Sequence, residues 1–414
     1  MKNIQVSLLV AAVATTGSLF AQSSDAVETF LDEQFASLEA TIPGKFNINS
    51  RTRYEVFNKN STSTSAKDHR DGFSESIRYG YTTETFGGFN AMVEGETVTR
   101  IGGNHDDIHP LDDAGDGTDF NQYWIGYQHE DYGKAKVGRQ IYILDDARFV
   151  GNVGWRQNMQ TFDAATGSFT MVENLTVNGF YMDNVNRVNA DHTKMDTSGA
   201  NVNYKVAEWL SLTGFFYHIK SSDSAEFSND TTGIRATGEY KLDEVTLKYA
   251  FSYAHQEDNS ENLDTDQIDA DYWAGDVSAT FEAFTGGLGF EVLGDGFRTP
   301  LATVHKFNGY ADVFLPVTGI KNGLQDLYAY VGYKIPVWDE KTIPIKVIYH
   351  SFNPDGGSLD YGDEIDFVAS YKVNEYVSLM AKYGYYMADD EFASKDGPGG
   401  ADKSMFTFDV NFAY

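Results

Sequence analysis

The sequence predicts an all-β protein: a transmembrane antiparallel up-and-down β-barrel of about 18 strands, with 16 as the alternative, and a short N-terminal helix. Three observations predict this fold class. Apolar and polar residues alternate from residue 44 to the end of the chain, as in strands with one apolar and one wet face. Short connections alternate with long acidic ones, and the last strand ends in an aromatic residue. Outer-membrane barrels have this asymmetry of turns and loops.

Composition excludes several other classes of protein. The 414 residues carry a formal net charge of -30 and include no cysteine. The acidity argues against a nucleic-acid partner, and the lack of cysteine excludes disulfide scaffolds and thiol nucleophiles. Aromatic residues make up 14% of the chain, which argues against disorder.

The N-terminus predicts a secretory signal over residues 1–21. Lys2 supplies a positive charge, residues 6–14 are mostly apolar, and Ala21 offers a small residue for cleavage. Residues 22–43 then form a short amphipathic helix or tail, and the barrel occupies residues 44–414. Within that tail, apolar residues recur at helical spacing over residues 24–40. A plug, a periplasmic tail and an oligomerising helix all fit this segment.

The strand count follows from chain length. Residues 44–414 number 371, and one strand with its share of the connections takes roughly 20 residues. The quotient is about 18, and bacterial single-chain barrels have an even number of strands. Tyrosine-ended turns such as Tyr204-Lys205, Tyr240-Lys241 and Tyr371-Lys372 fit an aromatic girdle at one membrane surface.

Acidic stretches over residues 102–119, 257–266 and 387–403 read as the long external loops. Together with the signal, they predict the outer membrane of a Gram-negative bacterium, with lipid and lipopolysaccharide as surroundings. The sequence leaves the oligomeric state open, and a monomer is favoured.

Enzyme motifs are missing from the sequence. There is no G-x-S-x-G elbow or P-loop, and His129-Glu130 is not followed by a second histidine at helical spacing. We therefore expect no reaction centre, no cofactor and no metal site.

Arginine is unevenly distributed along the chain. Nine of the eleven arginines come before residue 190, and alternation turns Arg51, Arg53 and Arg78 towards the lumen. Because sequence neighbours pair in such a barrel, one wall should be rich in arginine. Arginine suits bidentate capture of carboxylate, sulfate or phosphate. Pairing with nearby acids such as Glu55 and Asp163, which would simply brace the wall, fits equally well.

Two segments break the alternation, residues 138–164 and 299–312. The first contains Arg139, Arg148, Arg156 and Asp163, and the second contains His305 and Lys306. We expect both segments to fold into the lumen and narrow it, and ordinary external loops are the alternative.

These two segments, with the opening Arg51-Thr52-Arg53-Tyr54-Glu55, resemble the alginate-export family of outer-membrane barrels. The resemblance covers roughly residues 44–414. It implies an 18-stranded monomeric barrel with an arginine-lined constriction for an anionic uronate polymer. The positions that it carries over are Arg51, Arg53, Arg139, Arg148 and Arg156, with Glu55 and Asp163 as acidic partners. Arg139 lies on the apolar phase of its strand, so a bulge or strand end must turn it inward.

The sequence therefore predicts a passive channel for anionic or neutral oligosaccharides or small anions. Its expected pore lining is the following set of residues: Arg51, Arg53, Glu55, Arg78, Arg139, Arg148, Arg156, Asp163, His305 and Lys306. A general diffusion porin is one alternative. A non-conducting barrel that binds a partner through its loops is the alternative from another class.

Overall fold

In the computed structural model, eighteen antiparallel strands form one closed sheet. Each strand pairs with its neighbours in sequence, and β1 pairs with β18, so that Arg53 lies opposite Asp409. Closure satisfies the backbone groups of every strand, as a bilayer demands. The predicted count of 18 is confirmed. The structure describes residues 24–61, 67–103, 117–259, 268–338, 341–356, 360–389 and 399–414.

The helix and strand bounds are as follows: α1 Ser24–Glu39, β1 Gly44–Ser61, β2 Lys67–Thr83, β3 Phe89–Gly103, β4 Gly117–His129, β5 Gly133–Gln140, β6 Thr161–Val172, β7 Leu175–Asn186, β8 His192–Ala207, β9 Leu210–Ile219, β10 Asn229–Leu242, β11 Val245–Glu257, β12 Asp269–Phe281, β13 Phe284–Leu293, β14 Leu324–Pro336, β15 Thr342–Asn353, β16 Gly362–Lys372, β17 Val377–Ala388 and β18 Ala401–Ala413.

Alternation along each strand separates an outer from an inner face. Outward Ile125 and Val137 are 64% and 63% exposed, whereas inward Arg53 is 1% exposed. An apolar outer face suits lipid, and the inner face carries the polar residues. Exposed aromatic side chains such as Tyr204 and Trp209 lie beside the short turns, which places one aromatic girdle at that end.

Short turns and long connections lie at opposite ends of the barrel. Only two residues separate β12 from β13, whereas thirty separate β13 from β14. In outer-membrane barrels the short turns face the periplasm, so the turn end of this barrel is the periplasmic end. The predicted signal over residues 1–21 lies outside the described residues, as does most of the acidic stretch 102–119. Among the described residues, no helix is both long and apolar enough to span a membrane.

The N-terminal helix lies against the outer face of the barrel. The Phe35 ring stacks on Tyr414 with 3.4 Å between centroids, and Leu31 and Phe35 are buried with Phe412. Ile48 packs against the same group from β1, on the face opposite to Arg53. The predicted helix is confirmed, and its apolar stripe covers outward side chains near the periplasmic end instead of entering the lumen.

Candidate functional site

Two long connections fold into the lumen. We name them the first lumen loop, residues 141–160 between β5 and β6, and the second lumen loop, residues 294–323 between β13 and β14. They join each other through a parallel bridge between Val150 and Leu301, where the Gly151 amide donates to the Leu301 carbonyl at 2.8 Å. The expected inward fold is confirmed for residues 141–160 and 299–312, whereas residues 138–140 and 161–164 belong to strands β5 and β6.

An apolar core fixes the two loops against much of the wall, from β6 round to β17. Val150 and Leu301 are fully buried, and they belong to a cluster that includes inward Phe180 and Tyr217. Phe149 of the first lumen loop packs on Phe215 with ring centroids 5.0 Å apart. Burial of these large side chains makes the loops part of the folded core.

On the other side of the lumen, charged groups surround one indole. The Trp155 cluster consists of Trp155 and the side chains packed on it from β1, β17 and the second lumen loop. Arg53 lies 3.9 Å from the ring centroid, and the Lys382 ammonium lies 3.9 Å from it. The His305 ring stacks on Trp155 at 4.0 Å. Lys382 also lies 4.4 Å from the Tyr310 ring. Cation–π contacts of this kind gain strength when water is excluded.

Wall carboxylates neutralise part of this charge. Arg53 makes a bidentate pair with Asp409, with Nε–Oδ1 and Nη2–Oδ2 distances of 2.6 and 2.9 Å. Glu55 lies 3.5 Å from Arg53 Nη1. All three side chains are almost fully buried. Such a pair is geometrically rigid, and removing one partner leaves the other charge buried without a counter-charge.

Arg51 and Arg156 connect the first lumen loop to the wall and to the other loop. Arg51 donates to Asn411 Oδ1 at 3.1 Å and to the Trp155 carbonyl at 2.9 Å. Arg156 Nη2 lies 3.5 Å from Asp312 of the second lumen loop. Arg51 thereby fixes the Trp155 backbone to the wall, and Arg156 fixes the next residue to the second lumen loop.

Arg148 and Lys306 form a second set of contacts that joins the two lumen loops. Arg148 pairs with Glu291 of β13 at 2.8 and 2.9 Å, and its Nη2 donates to Asn308 at 3.2 Å. Lys306 donates to the Asp146 carbonyl at 2.8 Å. The two loops are thereby bonded to each other as well as to the wall.

Arg139 and Arg78 lie apart from the Trp155 cluster and from the Arg148–Glu291 pair. Arg139 makes a bidentate pair with Asp163, at 2.8 and 3.2 Å. As its phase on the strand requires, Arg139 is the penultimate residue of β5. It follows Gly138 at φ 125° and faces a register shift at Asp163. Arg78 pairs with Glu96 at 3.3 Å. Arg139 and Glu96 line one small cleft of about 220 Å³.

A row of acidic side chains on β13 to β16 holds the second lumen loop. Glu364 accepts the Ala311 amide at 2.7 Å, and Asp366 accepts the Tyr310 amide at 3.0 Å. Backbone N–H groups thus satisfy buried carboxylates. The lumen consequently has an acidic wall on these strands and a basic wall on β17, β18, β1 and β2.

The structure thus brings Arg53, Arg156 and His305 together at Trp155, with Glu55 beside Arg53. Sequence reasoning did not select Asp409, Asp312 or Trp155 as site residues. Asp409 could have been found, because it occupies an inward position on the last strand and closure sets that strand beside β1. Asp312 and Trp155 depend on loop conformations that no periodicity encodes. Within the described ranges, no group of three or more histidine or acidic side chains is placed to hold a metal ion.

His305 gives the cluster a pH dependence. Burial lowers the pKa of His305 to about 4, against the opposing attraction of Asp312, whose Oδ1 lies 2.8 Å away. Below pH 6.5 the unfolded chain takes up this proton before the folded chain does. Stability from the neutral ring is therefore complete above about pH 6.5 and is lost as pH falls towards 4.

We expect the free energy of unfolding in detergent to fall by about 2 to 3 kcal/mol more in the wild type than in His305→Gln between pH 7 and 4. Denaturant titration of both proteins at each pH measures the difference. The other carboxylates titrate in both proteins, so the difference between the two curves reports on His305 together with Asp312, whose pKa the neighbouring His305 helps to lower to about 2. Parallel curves would contradict the assignment.

A closed barrel with an apolar outer face, a polar lumen and two inserted loops defines the class of outer-membrane channels. The model of the alginate export family matches residues 43–289, which is more than half of the chain. The chain belongs to that family, and its place is the outer membrane of a Gram-negative bacterium.

Solved structures share the fold at low sequence identity. OccK9 (OpdG) of Pseudomonas aeruginosa superposes with a TM-score of 0.69 at 14% identity, covering 89% of this chain and 99% of that one. OpdK of the same species, solved with vanillate, gives 0.68 at 14% identity and covers 89% and 98%. OccAB2 of Acinetobacter baumannii gives 0.67 at 12%, covering 89% and 98%. No curated protein matches the sequence.

Proposed function

We propose that the barrel passes anionic saccharides or small anions passively through the basic side of its lumen. The observation that carries this proposal is the Trp155 cluster and its surroundings. The cations are Arg53, Arg156 and Lys382, with Lys403 reaching the Asp312 carbonyl at 2.8 Å. These four cations face three carboxylates, Asp409, Glu55 and Asp312, so one positive charge remains in excess beside the path that the loops leave.

Bracing and anion attraction operate together in this proposal. Arg53 and Arg148 are each 1% exposed, so they act through their field and through the loop positions that they fix. Direct contact with a solute falls to less buried groups, such as Arg51 and Arg78. A fixed charge beside a low-dielectric wall raises the local concentration of its counter-ion.

The acidic stretches 102–119, 257–266 and 387–403 lie mostly outside the described residues, and the sequence predicts that they are external loops. External loops of this charge repel anions arriving from outside, whereas lysines such as Lys134 and Lys346 lie inside the barrel towards the periplasmic end. The proposal therefore includes entry from the periplasmic side, with the outward direction as the favoured one.

Ion selectivity tests the proposal. With a potassium chloride gradient across a planar bilayer, we expect a reversal potential on the anion-selective side. Arg51→Gln should shift it towards the cation side, because the variant keeps an amide donor for the loop carbonyls and removes the charge. Lys194→Gln, which removes a charge from an exposed position on the outer face of β8, is the matched control and should leave the potential unchanged. Cation selectivity in the wild type would overturn the proposal.

The general diffusion porin stays as the second candidate. The general porin is supported by the fold that the barrel shares with OccK9 and OpdK, and membership of the alginate export family supports it equally. It predicts conductance with little preference for anions and no response to an added saccharide.

A further inference from the structure

The lumen contains a polar recess of about 530 Å³ below the first lumen loop. It lies on the wall formed by β5 to β8, across the lumen from the Trp155 cluster. Lys134 and Thr176 of this recess are each the second residue of their strand. Both strands begin at short turns, so the recess lies towards the periplasmic end.

Two lysines and a row of amides form the walls of this recess. Lys134 and Lys136 share the inward face of β5, since their neighbours Ala135 and Val137 are exposed on the outer face. Lys134 is exposed, and the Lys136 ammonium is held 4.1 Å from the Trp124 ring centroid. Both lysines are among the residues that line the recess.

The amides stand opposite the lysines on β7 and β8. Asn178 donates to Asn201 at 3.4 Å, and Asn201 donates to Asp145 of the first lumen loop at 2.7 Å. Asn203 donates to Thr213 at 2.8 Å, which leaves its amide oxygen as an acceptor. The network fixes the three side chains in a row, so the recess is already formed without a solute.

The first lumen loop forms the roof. Tyr142 and Ile143 line the recess, and Ile143 is 48% exposed there. The Tyr142 hydroxyl is buried without a hydrogen-bond partner among the described residues. A buried hydroxyl of this kind costs stability unless a further group satisfies it.

We propose that this recess binds one carboxylated sugar unit of a short oligouronate, with the carboxylate on Lys134 and Lys136. The hydroxyls of the unit bond to the amide row and to Tyr142, and its ring lies under Tyr142 and Ile143. The size of the recess falls within the range of small-molecule sites. Such sites usually combine a partly apolar cavity with convergent polar groups. The site rests on the proposed function, and it adds a place and a side for solute entry.

The test is the interruption of single-channel current by an oligouronate added to the periplasmic side. We expect Lys134→Gln with Lys136→Gln to shorten the residence time by about tenfold for each charged hydrogen bond that is lost. Lys248→Gln is the matched control, because it removes an exposed inward charge on β11, outside the recess. Its Nζ lies 3.3 Å from Glu239. A neutral oligosaccharide of equal length should interrupt the current far less.

The outcomes separate the two proposals. A wild-type current that the oligouronate interrupts, with equal residence times in the double variant and in Lys248→Gln, overturns the recess alone. A neutral oligosaccharide that interrupts as well as the oligouronate overturns the carboxylate assignment. A wild-type current that is indifferent to every saccharide overturns the recess and the saccharide part of the proposed function together, and cation selectivity overturns the proposed function as a whole.

Discussion

Replacing Arg53 by alanine is expected to destabilise the barrel by about 3–5 kcal/mol, because it leaves Asp409 buried and unpaired. Asp409 has no exposed surface, and Arg53 supplies two hydrogen bonds to it. The same change removes the cation from one side of Trp155, so the first lumen loop loses a wall contact. Unfolding of the refolded protein in detergent and denaturant measures the loss.

A double-mutant cycle separates the pair from general packing. Asp409→Ala alone should cost as much as Arg53→Ala, and the double variant should cost clearly less than their sum. Lys59→Ala is the control, since Lys59 is an exposed residue of the same strand. Its expected change is within about 0.5 kcal/mol. Additive losses in the cycle would mean that the ion pair does not hold this part of the wall.

Shortening the first lumen loop should raise single-channel conductance several-fold. The loop contacts opposite sides of the barrel. Asp146 pairs with Arg235 of β10 at 2.9 Å, and the Trp155 carbonyl accepts from Arg51 of β1 at 2.9 Å. A segment that spans the lumen in this way reduces the open cross-section, whereas barrels of 16–18 strands otherwise leave an aqueous channel.

The variant replaces residues 145–158 by a short Gly-Ser linker, which keeps Leu144 and the β5 and β6 ends. A Gly-Ser insertion at Glu282-Ala283, in the turn between β12 and β13, is the control at the opposite end of the barrel. Heat-modifiable migration on a gel checks that each variant has folded. Equal conductance in a folded loop variant and the wild type would show that the loop does not set the width of the path.

Much of this fold could be predicted because barrel geometry is periodic. Alternation correctly assigned Arg53 to the inner face and Val137 to the outer face. Closure alone then places the first and last strands side by side, which is why Asp409 meets Arg53 across 356 residues of sequence. The helix over residues 24–40 followed from its apolar spacing in the same way.

The rest of the site depends on backbone paths that no period encodes. Arg148 reaches Glu291 only because the first lumen loop turns inward at a particular depth. Arg139 turns inward at the end of β5, after Gly138, and there meets its direct cross-strand partner Asp163. The sequence left arginine bracing and anion capture equally open. The burial of Arg53 and Arg148 favours bracing for those two residues. We therefore propose that any anion binding is done by groups that water reaches.

Passage of anionic saccharides is tested most directly by the current through the purified, refolded protein in a planar bilayer, with an oligouronate added to one side at a time. We expect steady anion-preferring conductance that the oligouronate interrupts, with the stronger effect from the periplasmic side. Conductance that ignores the oligouronate from both sides would contradict it and leave a general porin. A refolded barrel without conductance would contradict it too, in favour of a closed barrel that binds a partner through its loops.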